Sequence, residues 1–206
     1  MKRATVGSRA VTPWFQTGVW RLLAVMMTLA MAALLQAAGP DEELIKKADE
    51  ALGRADYDTA IKALIELTTK HTASLHLNRA KYSLGSAYFF KGESEEAIKV
   101  LQPMADPRFP QPEIREAASL LLGQAFTRAG DVAKQKGDIK GAEEKLDSAI
   151  KTYSDFLTAF TKSDNRPDAL YGRAVAELYR GVHDPAIADV DHFQKQFPGH
   201  PLLVES

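Results

Sequence analysis

The stretch that decides the fold runs from Lys81 to Pro112 and reads KYSLGSAYFFKGESEEAIKVLQPMADPRFPQP. Leu84-Gly85, Tyr88, Gly92, Ala97, Leu101 and Pro110 fall along it at the spacing of two helices joined by a short turn. Leu84 and Tyr88 on the first segment, and Ala97, Ile98 and Leu101 on the second, recur at three- and four-residue steps, which gives each segment an apolar stripe. Gly92 can take the positive φ that ends a helix. Ser94 is placed to cap the next helix, with Glu95 and Glu96 in a first turn where the helix dipole favours acids. Gly85 and Ala97 are small residues, one on each helix, and their spacing predicts a close approach of the two backbones. The run Pro107-Arg108-Phe109-Pro110-Gln111-Pro112 cannot continue a helix.

The pattern returns on both sides. Asp41 to Ser74 forms a first unit, with Asp41 placed as a cap, Ala48 in the place of Gly85, Tyr57 opening the second helix and Ala60 and Leu64 spaced like Ala97 and Leu101. In a third unit, Leu122-Gly123 and Phe126 repeat the first-helix signature, and Ala142, Leu146 and Ala149 the second. Seven residues too many lie between them. Seven residues make about two helical turns, so the extra length returns the same face to the same side. The expectation is a lengthened pair of helices with an exposed tip around Ala133–Asp138. A fourth unit starts at Asn165, a candidate cap, with Pro167 in the first turn, Ala174 in the small position, Gly181 at the turn, and Asp184-Pro185 opening the second helix. It departs from the pattern at Arg173, where Leu is expected, and at Glu177, where Tyr is expected.

These residues resemble the tetratricopeptide repeat, whose signature is L-G-x2-Y, A-x3-F and a late Pro. The resemblance implies an all-α, right-handed superhelical solenoid of about four helical hairpins, with units at about 41–74, 78–111, 116–162 and 165–200 inside a domain spanning 40–206. It also implies a protein that binds other proteins, because the first helices of such arrays line a concave groove. The groove face then takes Tyr82, Phe89 and Phe90 from the second unit, Gln124, Thr127 and Arg128 from the third, and Tyr171, Leu178 and Tyr179 from the fourth. Tyr and Arg are types enriched at binding hot spots. A clamp for a C-terminal carboxylate needs Lys and Asn on the first helices, and Tyr82 and Ser86 stand in the matching places.

Composition bounds the rest. The 206 residues are 45% hydrophobic and 26% charged, as in an ordinary globular protein, and contain no cysteine. Disulfides, thiolate metal sites and a cysteine nucleophile are excluded. Residues 1–38 carry Lys2, Arg3, Arg9 and Arg21 and no acid, which leaves 22 basic against 27 acidic residues in the remainder. A mildly acidic body argues against nucleic acid as the partner. The basic lead is followed by a 14-residue apolar run, Leu22–Leu35, and small residues at Ala37-Ala38-Gly39. That sequence describes a secretory signal over 1–38, or an N-terminal membrane anchor where it is not removed, and an exported domain beyond it. Any membrane contact then runs through this segment alone.

No metalloprotease, phosphate-loop, dinucleotide or nucleophile-elbow motif occurs. His183, Asp184, Asp189, Asp191 and His192 have metal-ligand residue types, but the bland reading is a solvated helix with its caps. We therefore expect no enzyme activity, no cofactor and no metal. The expected function is an exported scaffold or adaptor in a bacterial cell envelope, in the periplasm. The ending Phe197-Pro198-Gly199-His200-Pro201 resembles the units of periplasmic repeat proteins that serve outer-membrane assembly and envelope constriction. It reads as the start of a fifth first helix, which leaves two further expectations. The chain is the N-terminal part of a larger protein, or it self-associates through an uncapped C-terminal end.

Overall fold

A computed structural model describes residues 39–201, and the expectations for 1–38 and 202–206 lie outside the described residues. Eight α-helices and no strand occur among the described residues. They are α1 (Pro40–Gly53), α2 (Tyr57–Lys70), α3 (Leu77–Lys91), α4 (Ser94–Leu101), α5 (Pro112–Gln135), α6 (Ile139–Ala159), α7 (Arg166–Arg180) and α8 (His183–Gln196), with a 3-10 turn, Gln102–Met104, after α4. They pair as four hairpins. From α2 onward each helix packs on the next, and α3, α5 and α7, all first helices, also touch in succession. This is a helical-hairpin solenoid. Two apolar clusters fill it, one from Ile45 to Ala87 and one from Phe89 to Ala176, with Tyr88 packed against both.

The four hairpin turns are the same object. Each first helix ends with one residue in the left-handed region: Ala55 (φ 56°), Gly92 (φ 93°), Gly137 (φ 80°) and Gly181 (φ 86°). The amide after it donates to the carbonyl five residues back, at 2.9 Å for Asp56 to Ala51, Glu93 to Tyr88 and Val182 to Glu177, and at 3.0 Å for Asp138 to Ala133. That bond defines the Schellman ending, which satisfies carbonyls the helix leaves orphaned. Three of the four left-handed residues are glycine because only glycine takes that conformation without a Cβ penalty. Ala55 takes it without that freedom.

Counting from these turns fixes the internal register. Seven residues before them stand Ala48, Gly85, Gly130 and Ala174, and nine after them Leu64, Leu101, Leu146 and Val190. The contact at Gly85 therefore differs from the expected one: a Cβ there would come within 2.6 Å of Leu101 Cγ and Cδ2, so leucine rather than Ala97 fills the space glycine leaves. In the third hairpin the same contact is made by Gly130, where a Cβ would come within 2.7 Å of Leu146 Cγ. Gly123 repeats it one heptad away, against the Tyr153 ring at 2.7 Å. The surplus seven residues thus add a second packing layer to helices of 24 and 21 residues. Arg128, nine residues before its turn, sits level with Phe89, three before its own, so the third turn overhangs the second by about 9 Å at 1.5 Å per residue.

The caps depart from expectation. Ser94 is the first residue of α4, not its cap; Glu93 holds the cap position without a side-chain bond, and the buried Ser94 hydroxyl has no partner. Asp56 and Asp138 do cap, accepting from the Thr59 amide at 3.1 Å and the Gly141 amide at 2.9 Å. The Thr59 bond holds the Asp56 carboxyl below its ordinary pKa. Asn165 does hold the cap position of α7, without a side-chain cap bond, while Asp41 lies inside α1 and serves the loop between hairpins instead. The Ser74 hydroxyl donates to Asp41 at 2.6 Å, and Ser163 and Asn165 donate to Glu116 at 2.6 and 3.2 Å. Asp184 lies inside α8, whose cap position is Val182.

The fourth hairpin has an ionic interior. Arg173 grips Asp189 through two bonds of 2.6 and 2.7 Å and donates to the Ser154 hydroxyl at 3.1 Å. Glu177 is buried beside them, one carboxylate oxygen without a partner. Its pKa is raised by burial first and by Asp189 second, with Arg173 opposing. The departures from the repeat pattern at Arg173 and Glu177 therefore belong together, with Asp189 as their counterpart.

Candidate protein-binding groove

Three first helices and one second helix enclose a cavity of about 450 Å³. From α5 come Gln124, Thr127, Arg128 and Asp131, a stripe at steps of three and four. From α7 come Asp168, Tyr171, Gly172, Val175 and Tyr179, a second such stripe. Phe89 closes the α3 side, and Tyr153 of α6 lies at the bottom. Helical periodicity is what puts polar and aromatic residues far apart in sequence on facing walls.

Tyr153 sits between two glycines. A Cβ at Gly123 would come within 2.7 Å of its ring, and one at Gly172 within 2.6 Å. Both helices approach the ring closely because neither carries a side chain there. Burial pushes the Tyr153 hydroxyl well above its ordinary pKa, opposed by a hydrogen bond with Thr127 and reinforced by the charge on Asp168. Thr127 Oγ1 itself donates to the Gly123 carbonyl at 2.9 Å.

Arg128 is fixed on the other side. Its guanidinium lies 4.0 Å from the Phe89 ring centroid, and Nη1 donates to the Phe89 carbonyl at 2.7 Å. That carbonyl belongs to the last turn of α3, where a cation is favoured by the helix dipole. Lys134 does the same for α7, donating to the Tyr179 carbonyl at 3.0 Å. Asp131 accepts from the Gln135 amide at 2.8 Å. Among the described residues, no hydrogen bond or ion pair holds Asp168.

Of the nine residues predicted for the groove, Phe89, Gln124, Thr127, Arg128, Tyr171 and Tyr179 line this cavity. Tyr82 is half-buried against the core, and burial raises its hydroxyl pKa. Phe90 is 58% exposed and stacks on Tyr57, ring centroids 6.3 Å apart. Leu178 is exposed outside the lining. Asp131, Asp168 and Val175 were missed, although stepping three or four residues from Arg128 and Tyr171 reaches all of them. Tyr153 carried only the signal of a core position on α6.

A larger cavity, about 640 Å³, opens between Gln102–Pro107 and the last turns of α6. Its charged groups are already engaged. Asp106 pairs with Arg108, Lys151 with Asp155, and Arg115 donates to the Pro107 carbonyl.

Residues 45–111 match the family model described as tetratricopeptide repeat. No curated protein matches the chain. The matched segment covers the first two hairpins, which are tetratricopeptide repeats, and their turn geometry and register recur in the third and fourth.

Proposed function

We propose that the chain is an exported, non-enzymatic scaffold that holds a protein or peptide partner in the groove between α3, α5 and α7. The observation that carries this reading is one cavity shared by three successive first helices, with Tyr171 and Tyr179 39% and 43% exposed on its wall. Amphipathic side chains held at a wet surface are the type that anchors partners. Export and a place in a bacterial envelope rest on the basic lead and the Leu22–Leu35 run. No described helix is long and apolar enough to cross a membrane. A photo-crosslinking residue placed at Tyr179 in cells should give discrete adducts that vanish in a Tyr171→Ala background. Adducts from Lys140, on the far side of the turn, and none from Tyr179 would reject the groove. Arg128→Ala and Tyr82→Ala are poor tests, because the first braces α3 and the second packs on the core. Reporter fusions after residue 40 that stay active only in the cytoplasm would reject export.

The outer side of the fourth hairpin favours a second reading, self-association. Ile187 is 58% and Val190 37% exposed, while their register equivalents Ile98 and Leu101 are buried. Sedimentation of the full chain at two concentrations tests it.

A further inference from the structure

The fourth hairpin holds a site of its own, apart from the groove. Where α6, α7 and α8 meet, a cavity of about 200 Å³ opens at the end of the hairpin away from its turn. We propose that it takes a small organic monocarboxylate with a compact apolar body of about one ring. No acid lines the cavity, while Arg166, Arg173 and His192 all do. The Arg173 charge is matched, because Asp189 accepts from it through two bonds. The Arg166 charge is not: its bond, from Nη1, goes to the Leu157 carbonyl at 2.6 Å. A carbonyl fixes the guanidinium in place but leaves its charge, and no described acid pairs with it.

The hairpin register brings the donors together. Arg173 and Asp189 meet eight residues either side of Gly181, so residues equally far from that turn stand level. Arg166 is therefore level with Gln196, fifteen residues out, and Leu170 with His192, eleven out. His192 and Gln196 are four apart on one face of α8, about 6 Å along the axis, a span that the arginine and histidine side chains close. Glu177, the other buried acid of this hairpin, lies about 16 Å along the axis from Arg166 by the same count. Neither His192 nor Gln196 has a hydrogen-bond partner among the described residues, so both can donate to a ligand. Ser154 and Thr158 give their hydroxyl protons to α6 carbonyls instead. The remaining edge of the Arg166 fork matches a planar carboxylate. Leu157, Leu170 and Phe197 make the apolar wall beside it. An apolar cavity of about 150 Å³ holds benzene, so about 200 Å³ has room for a ring and its acid head.

The test uses the full chain and para-fluorobenzoate, followed by fluorine NMR, with para-fluorobenzamide as the uncharged control. The acid should bind saturably with a Kd of about 1 mM, and the amide about tenfold more weakly or worse. Arg166→Gln keeps a donor for the Leu157 carbonyl and removes the charge, and should weaken the acid about tenfold. Gln196→Glu, at an exposed position, sets a carboxylate against the ligand's own and should weaken it as much. Unchanged thermal melting establishes that both variants are folded. No saturable binding, equal binding of acid and amide, or an affinity that survives both substitutions overturns the proposal. Displacement by acetate or inorganic phosphate as readily as by unlabelled benzoate overturns the apolar half of it. Tighter binding of the blocked peptide acetyl-Gly-Gly-Phe than of benzoate overturns the assignment to a free acid. Tyr179→Ala, on the groove wall, should leave benzoate binding unchanged, so the two sites stand or fall separately.

Discussion

In the second hairpin Leu84, Tyr88 and Val100 stand eight and four residues before the turn and eight after it. In the fourth, the same three places hold Arg173, Glu177 and Asp189. Both hairpins close through the same pair of turn hydrogen bonds, within 0.1 Å of each other in length. The frame is thus independent of what fills it. Backbone geometry is fixed by the left-handed glycine and the small residue seven before it, while the interior tolerates either apolar contact or a satisfied ion pair. The ionic solution is conditional, since each charge needs the others.

The largest expected effect follows from that condition. Arg173→Ala leaves Asp189 and Glu177 as facing acids with no cation, and should cost about 3 kcal/mol. Transplanting the second hairpin's residues, Arg173→Leu with Glu177→Tyr and Asp189→Val, should return stability to within about 1 kcal/mol of wild type. Urea denaturation of the full chain measures both. A neutral Arg173→Ala would mean that the ion pair does not hold the hairpin. The pH dependence has a definite sign. Glu177 has a folded pKa above its ordinary 4.5, so it favours the folded state when protonated, and that contribution is lost as pH rises through the folded value. Glu177→Gln should remove that loss, and the melting temperature of the variant should gain on wild type as pH climbs from 4.5 to neutrality.

The second effect sharpens the comparison at the small position. The fourth hairpin carries Ala174 where the second carries Gly85, so the register itself accepts a methyl group. What excludes one at Gly85 is Leu101, fully buried and 2.6 Å from where a Cβ would stand. Gly85→Leu should therefore cost about 2 kcal/mol by overpacking. A variant that melts at the wild-type temperature would show that α3 and α4 can part at little cost.

Much of this was legible beforehand, for a physical reason. Apolar period and turn glycines are local, so the four hairpins, Gly92 and Gly181 could be read directly. Contacts that depend on which neighbour moves in could not. Gly85 pointed to a close approach, but its partner Leu101 was decided by packing in three dimensions. Arg173 looked like a defect in a repeat until Asp189, sixteen residues on, was brought against it. The groove was half visible: aromatic residues announced themselves, while Asp168 and Asp131 looked like any solvated acid. Ser94 and Asp184 misled because cap preference is a property of residue type, and the turn register shifted the cap position by one or two residues.

The smallest expected effect concerns those caps. Glu93 and Val182 hold the cap position of their second helices without a side-chain bond, whereas Asp56 and Asp138 accept the amide three residues on. Glutamate is one methylene longer than aspartate, and here its carboxylate goes to Lys91 at 2.7 Å instead. Glu93→Asp keeps the charge and places an oxygen where Asp56 and Asp138 hold theirs, within reach of the Glu96 amide. The gain should be about 1 kcal/mol from the cap, less a few tenths for the exposed pair with Lys91. Lys91 keeps its second partner, Asp58, so the loss stays small. Val182→Asp should gain about as much, because Val182 is exposed and gives up little apolar contact. A Glu93→Asp variant with a melting temperature at or below wild type would show that α4, only eight residues long, takes its stability from packing rather than from its first turn.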